Sequence, residues 1–292
     1  METFAPDTLN GAKLLGIYEP GSASWHLERG QGVGGSEVGT ILGLNPYESA
    51  YALWAKKLNL IPSQIQENWA IRFGKAFEEP ILNLWAEEYP DWEVFATGTY
   101  SDPECSYRHA NPDAIARHRV TGELMVIEVK TARSTWDDVP ASYVAQTLHY
   151  MGVLRIPKGI IVAVAGMTWN EYDVDFNQLQ IDVQNDAIDR FWNSVKTETK
   201  PNWDGSEATY NAVRYMNPNF EASEIDLGSL GTELYKAQIA ADEAYKYLML
   251  LKSRTLDTMG KAKWGVVNTV RVASRQLRGG SPSLIVNKKA NL

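Results

Sequence analysis

The sequence predicts an α/β fold in which a mixed sheet is flanked by helices. One observation is the order of the elements, because helical patterns come first and a cluster of strand patterns with an intervening helix follows. Another is an apolar run at 124–130, bounded by Thr121 and Gly122, which is typical of a largely buried strand. The third is composition: 292 residues, 44% hydrophobic and 22% charged, are enough for a sizeable core.

Three helices are predicted in the N-terminal part. Ser36 follows two glycines and precedes an apolar stretch, so we expect it to be the N-cap of a short helix that ends near Gly43. Residues 49–58 and 67–89 are helical, and Pro80 is expected to kink or restart the longer helix. The predicted inward stripe of that helix consists of Trp69, Phe73, Phe77, Leu84 and Trp85.

The central part of the chain alternates between strand and helix patterns. A helix between two strand patterns is typical of a crossover connection, which adds a parallel pair to the sheet. The predicted strands are 92–97, 107–110, 113–117, 123–130, 159–165 and 171–175, and the predicted helices are 140–154 and 179–197.

The character of the sequence changes beyond Pro201, and we predict a core at 1–215 and an extension at 216–292. Residues 264–287 alternate around a glycine pair and predict a basic two-stranded hairpin. Before it, apolar residues at a/d heptad spacing predict a long helix that either packs on its own domain, the commoner outcome, or binds a partner. This seam consists of Leu227, Leu230, Leu234, Ala237, Ala241, Ala244, Leu248 and Leu251.

Positive charge is concentrated at the C-terminal end. The net charge is −8, yet residues 252–292 hold nine Lys or Arg against one acid, Asp257, so this segment carries +8 and the rest −16. Such a segment either tracks phosphates or is a solvated tail, and both interpretations stay open. The candidate DNA contacts within it are Lys261, Lys263, Arg271, Arg275 and Arg278.

Several classes of site and protein are disfavoured. The single cysteine, Cys105, excludes an internal disulfide and a four-cysteine site, so neither zinc nor an iron–sulfur cluster is expected. The four histidines lack metal-binding spacing. No apolar stretch approaches the length of a membrane span and no signal pattern is present, so we expect a cytoplasmic protein that does not act at a membrane.

The most informative motif is Pro112-Asp113 followed, after fourteen residues, by Glu128-Val129-Lys130. Side chains alternate along a strand, so Glu128 and Lys130 project from the same face about 7 Å apart. Burying charged side chains on the face of an apolar strand costs free energy unless the charges are paired or bind a ligand. Two acids and a lysine on one hairpin can bind Mg²⁺ and position a water for phosphodiester cleavage. Pro-Asp is also common in ordinary turns, and Glu-x-Lys in exposed strands, so the motif alone is weak evidence for a catalytic site.

Further groups add to this motif. Glu78 follows Gly74 in an apolar helical stretch, and Gln146 and Tyr150 lie one turn apart on the helix after the motif. The ordinary alternative for Glu78 is an exposed carboxylate, and for Gln146 and Tyr150 it is a half-exposed helix surface. Arg29 precedes the serine-capped helix, whose N-terminus can bind a phosphate, although plain capping would give the same pattern.

Together these residues make the chain resemble the lambda-exonuclease and YqaJ-like viral recombinase family of PD-(D/E)XK nucleases, over about residues 24–215. The resemblance implies a restriction-endonuclease-like core with a C-terminal helical and β-hairpin extension. Its segments are Gly34–Val38, Ile41–Tyr47, Gly74–Glu78, Asn111–Asp113, Glu128–Lys130, Gln146–Met151, Phe191–Trp192 and Pro201–Ser206.

The resemblance assigns the metal site. Glu78, Asp113 and Glu128 match the acidic ligands of Mg²⁺, for which Mn²⁺ is expected to substitute, and the Val129 backbone carbonyl is an additional ligand. Lys130 matches the lysine that orients or deprotonates the attacking water. Beside three acids this lysine should stay protonated, which favours the orienting role.

The resemblance also assigns the DNA-binding residues. Gln146 matches the glutamine that supports the catalytic lysine, and Arg29 and Ser36, after Trp25, match the pair that binds the 5′-phosphate end. Tyr150 is placed with this DNA-binding group. Family members degrade one strand of linear duplex DNA from its 5′ end, and the lambda enzyme is a ring-shaped trimer that partners a single-strand annealing protein in phage recombination.

Two departures keep alternatives open. Ala114 stands where glycine is common after the Pro-Asp, and the C-terminal extension lies outside the lambda-type core, which puts the trimer in doubt. The first alternative is a structure-specific or nicking endonuclease on the same fold. The second is a non-catalytic DNA-binding protein, against which the presence of all three acids and the lysine argues.

Overall fold

The computed structural model describes residues 1–63 and 68–292, so residue 67, the predicted start of the longer N-terminal helix, lies outside the described residues. These residues form two compact units, Met1–Asn219 and Phe220–Leu292. Within the described ranges, no helix has both the length and the apolar character needed to cross a membrane.

The helices and strands are numbered along the chain. The helices are α1 (Ala23–Gly30), α2 (Gly35–Ile41), α3 (Ala50–Lys57), α4 (Trp69–Glu88), α5 (Ala141–Leu154), α6 (Gln178–Lys196), α7 (Glu207–Met216) and α8 (Gly228–Met259). The strands are β1 (Thr8–Leu9), β2 (Ala12–Gly16), β3 (Val33–Gly34), β4 (Trp92–Phe95), β5 (Thr99–Ser101), β6 (Arg108–Ala110), β7 (Ala114–His118), β8 (Leu124–Ala132), β9 (Lys158–Ala165), β10 (Thr168–Asp175), β11 (Trp264–Val267), β12 (Val270–Arg278) and β13 (Ser281–Val286).

The principal sheet of the first unit is mixed, as the sequence predicts. Its strand order is β10-β9-β8-β7-β4, and β8 and β9 are parallel while the other neighbours are antiparallel. Helix α5 makes the crossover between the parallel strands. A second sheet, in the order β1-β2-β5-β6-β3, was only partly foreseen because its strands are two to five residues long.

The central strand β8 has helices on both sides, and its two faces belong to different core clusters. Val126 packs in the cluster that contains Leu148 and Met151 of α5. Ile127 packs in the cluster that contains Leu82 and Trp85 of α4. A strand covered on both faces reads as a continuous apolar run, which is why residues 124–130 were recognisable from the sequence.

The predicted inward stripe of α4 is largely wrong. Trp85 is buried, together with Ile81 and Leu82, but the other four stripe residues are exposed. Apolar spacing does not tell which part of a helix the sheet covers, and only the C-terminal half of α4 has buried residues. The helix runs as one element through Pro80, so the restart expected there is excluded. The exposed members are Trp69, Phe73, Phe77 and Leu84.

The predicted N-cap at Ser36 is also wrong. Gly34 caps α2, and Ser36 lies within its first turn. The Gly34 N–H donates to a carboxylate oxygen of Glu37 at 3.0 Å. The side chain of Glu37, and not a serine hydroxyl, therefore provides the side-chain hydrogen bond at the start of the helix.

The second unit contains α8 and a sheet of three strands, β11-β12-β13, instead of the predicted two. Gly279 and Gly280 both have positive φ at the predicted turn. Asn268 and Thr269 have positive φ as well and form the additional turn, which lacks a glycine signal.

In α8, whose residues are all described, none is buried, and this exposure favours the partner-binding alternative for its seam.

Candidate active site

Glu128 lies in the middle of β8 and is only 1% exposed. One carboxylate oxygen, Oε1, accepts hydrogen bonds from the Lys130 ammonium and from Gln146 Nε2, the latter at 2.6 Å. The other oxygen, Oε2, is buried and has no hydrogen-bond partner among the described residues. A buried carboxylate oxygen without a donor is costly, so this atom is available to a cation.

Asp113 immediately precedes β7, and the antiparallel register that pairs Ala114 with Ile127 brings it opposite Glu128. Its Oδ2 accepts the Val129 N–H at 2.7 Å. The strand pairing thus places the two acids of the motif together, with one oxygen of Asp113 held by the backbone.

Glu78 approaches the same pair from α4, where it is half-buried. Burial raises its pKa to about 7, with the negative charge of Asp113 acting in the same direction. Burial raises the pKa of Glu128 to about 8, again with Asp113 contributing, and burial likewise raises the pKa of Asp113. The three carboxyl groups therefore act on one another electrostatically.

Lys130 is the cation within this acidic cluster. Desolvation lowers the pKa of the half-buried Lys130, but the charges of Glu128 and Asp113 outweigh this effect, so the pKa is raised. The ammonium also lies 5.0 Å from the ring centroid of Tyr143. Lys130 is accordingly protonated at neutral pH.

The donor set fits a hard divalent cation. Among the described residues, no three acidic, histidine or cysteine side chains are already grouped as a cation site. Lys130 is bound to Glu128 and the Val129 N–H to Asp113, which occupies two of the oxygens. The unpartnered Oε2 of Glu128 and the mutual repulsion of the acids nevertheless match carboxylate ligation of a hard divalent cation. The role of the Val129 carbonyl stays a prediction.

These pKa shifts predict how stability depends on pH without metal. Glu128 and Glu78 hold protons in the folded state that the unfolded chain releases near pH 4.5, so stability should fall as pH rises from about 5 to about 8. Melting in EDTA across this range is the measurement. Mg²⁺ should restore the melting temperature at pH 8, and Glu128→Gln should flatten the curve. A flat wild-type curve would contradict the coupling.

Helix α5 supplies the groups that hold Glu128. Gln146 Nε2 lies 3.1 Å from the Tyr150 hydroxyl as well as beside Glu128. Both side chains are buried one helical turn apart, as the sequence predicts. The Tyr150 ring packs directly on Gly35, where a Cβ would lie 2.4 Å from the ring. The start of α2 thereby adjoins the acidic cluster.

Arg29 and Ser36 lie together beside Gly35, the residue on which Tyr150 packs. Arg29 Nη2 donates to Ser36 Oγ at 3.1 Å, and its guanidinium lies 4.8 Å from the Trp25 ring centroid. The carboxylate of Glu37 is the main cause that raises the pKa of Arg29 against the effect of burial. A half-exposed arginine and an exposed serine hydroxyl thus lie next to the acidic cluster.

Two residues that the sequence analysis missed hold this arginine. Glu37 forms an ion pair with Arg29 at 3.0 Å and with Lys57 at 2.8 Å, and its pKa is lowered to about 2 by both cations despite burial. Lys57 Nζ also donates to the backbone carbonyls of Arg29 and Gly32. Lys57 is twenty residues from Glu37, so no local pattern could have linked them. Tyr143, which lies against the Lys130 ammonium, was also missed. Its three-residue spacing from Gln146 on α5 could have indicated that both side chains face the site.

The basic C-terminal residues belong to the second unit. Arg271 and Lys263 lie over the Trp264 ring, at 4.5 and 4.9 Å from its centroid, and Arg275 donates to the Gly260 carbonyl at the end of α8. Lys261 is exposed. The side chain of Arg278 lies outside the described residues. DNA contacts by these residues stay a prediction.

Known proteins share the fold of this chain. The alkaline exonuclease LHK-Exo from Laribacter hongkongensis superposes with a TM-score of 0.52 at 16% identity, over 61% of this chain and 94% of that one. Its complex with dAMP gives the same TM-score at 18% identity, with the same coverage of both chains. The predicted class is confirmed: the fold is a mixed sheet flanked by helices, and LHK-Exo shares it.

Sequence comparison gives a domain match and several relatives. Residues 24–164 match the YqaJ-like viral recombinase domain. The uncharacterized protein YqaJ of Bacillus subtilis (strain 168) is 28% identical over 265 residues, which are 83% of this chain and 80% of that protein. Protein D345L of African swine fever virus (strain Badajoz 1971 Vero-adapted) is 42% identical over 63 residues, 22% of this chain and 18% of that protein. The resemblance drawn from the motifs is confirmed: this chain is similar to the YqaJ-like viral recombinase domain over residues 24–164.

Proposed function

We propose that the chain is a Mg²⁺-dependent exonuclease that degrades one strand of linear double-stranded DNA from its 5′ end. The observation that carries this proposal is the acidic cluster around the buried Glu128, with its protonated lysine. Gln146 and Tyr150 connect this cluster to Gly35, the neighbour of Ser36, which is hydrogen-bonded to Arg29. A hydrolytic centre beside a phosphate-binding pair is the arrangement that an end-dependent nuclease needs.

The carboxylates of Glu78, Asp113 and Glu128 would hold the metal. When bound, Mg²⁺ supplies positive charge that activates a water and offsets the charge on the scissile phosphate. Gln146 donates to Glu128 and fixes the orientation of its carboxylate. Because Gln146 binds only Oε1, the unpartnered Oε2 of Glu128 would be free to bind the metal.

Lys130 acts as an electrostatic and orienting group. Its raised pKa keeps a proton on Nζ, so it donates to the attacking water or the phosphate and does not accept a proton in the resting state. Tyr143 packs on this ammonium and limits its position. Asp113, fixed by the Val129 N–H, keeps one oxygen oriented.

Arg29 and Ser36 would bind the terminal 5′-phosphate. A guanidinium gives charge-assisted hydrogen bonds to phosphate, and a serine hydroxyl adds a further donor. The complex of LHK-Exo, a protein of the same fold, with dAMP is consistent with a nucleotide-binding surface in this class. Duplex DNA is the substrate that this arrangement fits, and a single-strand annealing protein would use the strand that remains.

The test of polarity uses a linear duplex labelled on one strand, either at its 5′ or at its 3′ end. With Mg²⁺ we expect 5′-labelled DNA to release label as short products at once, while 3′-labelled strands shorten progressively. EDTA should stop both reactions. Immediate release of the 3′ label, together with progressive shortening of the 5′-labelled strands, would contradict the proposed polarity.

A further inference from the structure

The apolar seam of α8 is exposed along its whole length. The leucines at its a and d positions are between 38% and 63% exposed, and every residue from 232 to 251 is exposed. Most helices in proteins derive their stability from packing an apolar face, and a helix without such packing is marginal in water. The seam therefore has the properties of a surface that a second helix covers.

We propose that α8 pairs with α8 of a second copy of this chain as an antiparallel coiled coil. The seam is symmetrical about residue 239, because leucines lie towards both ends and alanines in the middle. An antiparallel partner centred there places each a position opposite a d position, and the central alanines allow close approach of the two backbones. The layers, each occurring twice, are Leu227–Leu251, Leu230–Leu248, Leu234–Ala244 and Ala237–Ala241.

Charge complementarity selects the antiparallel direction. The first half of α8, residues 228–243, holds three acids and one lysine, and the second half, 244–259, holds three bases and one acid. Antiparallel pairing places the acidic half of each helix along the basic half of the other, whereas parallel pairing places like on like. It also sets Asp226, which precedes α8 and accepts the Gly228 N–H, opposite Arg254 of the second copy.

The helix dipoles add to this preference. In an antiparallel pair, the positive N-terminal end of one helix lies beside the negative C-terminal end of the other. Two copies of one chain thus satisfy the seam, the flanking charges and the dipoles together. A partner protein of another sequence would have to supply the same arrangement independently.

Disulfide cross-linking tests both the partner and the direction. In a Cys105→Ser background, which removes the only native cysteine, Leu230→Cys and Leu248→Cys are prepared separately. Each variant is first oxidised alone. The two variants are then mixed under reducing conditions and oxidised together. In the antiparallel pair, residue 230 faces residue 248 of the other copy, and two copies of residue 230 lie roughly 27 Å apart. We expect at least a tenfold higher dimer yield in the mixture.

The matched control mixes Lys236→Cys with Glu243→Cys, which lie on the same helix away from the seam and should give no enrichment over either alone. Efficient dimerisation of Leu230→Cys alone would overturn the antiparallel direction. Absence of cross-linking in every sample would overturn self-pairing, and the seam would then bind another partner or none. Both results are independent of nuclease activity.

Discussion

Replacing Glu128 with glutamine is expected to abolish DNA cleavage while the protein stays folded. The change keeps the shape of the side chain but removes the charge that would bind the metal, and with it several kcal/mol of charge stabilisation. Each 1.36 kcal/mol is a factor of ten, so the rate on linear duplex DNA should fall on the order of a thousandfold or more. Asp113→Asn should behave alike.

Stability separates this effect from misfolding. Glu128 has a pKa raised to about 8 by burial and by Asp113, so removal of its charge relieves repulsion in the metal-free protein. The melting temperature of Glu128→Gln in EDTA at pH 8 should equal or exceed that of the wild type. Glu87→Gln, an exposed carboxylate on α4, is the control and should retain activity. Activity of Glu128→Gln within tenfold of the wild type would exclude Glu128 as a metal ligand.

Arg29→Gln is expected to remove the preference for a 5′-phosphorylated end. A hydrogen bond to a charged group contributes about 1.5–3 kcal/mol, so the wild type should degrade a 5′-phosphorylated duplex roughly ten to a hundred times faster than a 5′-hydroxyl duplex. In the variant this ratio should approach one, because Arg29 is the cation that lies against Ser36. Initial rates on the two substrates give the ratio.

The control for this substitution is Arg214→Gln, which removes a positive charge from α7 in the same unit. Its ratio should equal that of the wild type. A preserved ratio in Arg29→Gln would refute the phosphate-binding role of Arg29, yet it would leave the role of the acidic cluster intact. The two assignments can therefore fail separately.

The sequence predicts the central sheet and the acidic cluster because these depend on local pattern. The apolar run of β8 marks a strand covered on both faces, and alternation along it places Glu128 and Lys130 on one side. The one-turn spacing of Gln146 and Tyr150 gives the face of α5 that meets them.

What the sequence does not predict depends on tertiary contacts. Lys57 approaches Glu37 and the end of α1 only through the packing of α3, which no periodicity encodes. The exposed aromatic stripe of α4 has the spacing of a core face, yet the sheet covers only the C-terminal half of this helix. The turn at Asn268 and Thr269 lacks glycine, so the third strand of the C-terminal sheet escaped the pattern.

The most direct test of the account compares a linear 5′-phosphorylated duplex with a covalently closed circle of the same sequence, in Mg²⁺, using the wild type and Glu128→Gln. We expect the wild type to digest the linear duplex alone and Glu128→Gln to digest neither. Cutting of the closed circle by the wild type would contradict an end-dependent exonuclease and indicate an endonuclease on the same fold.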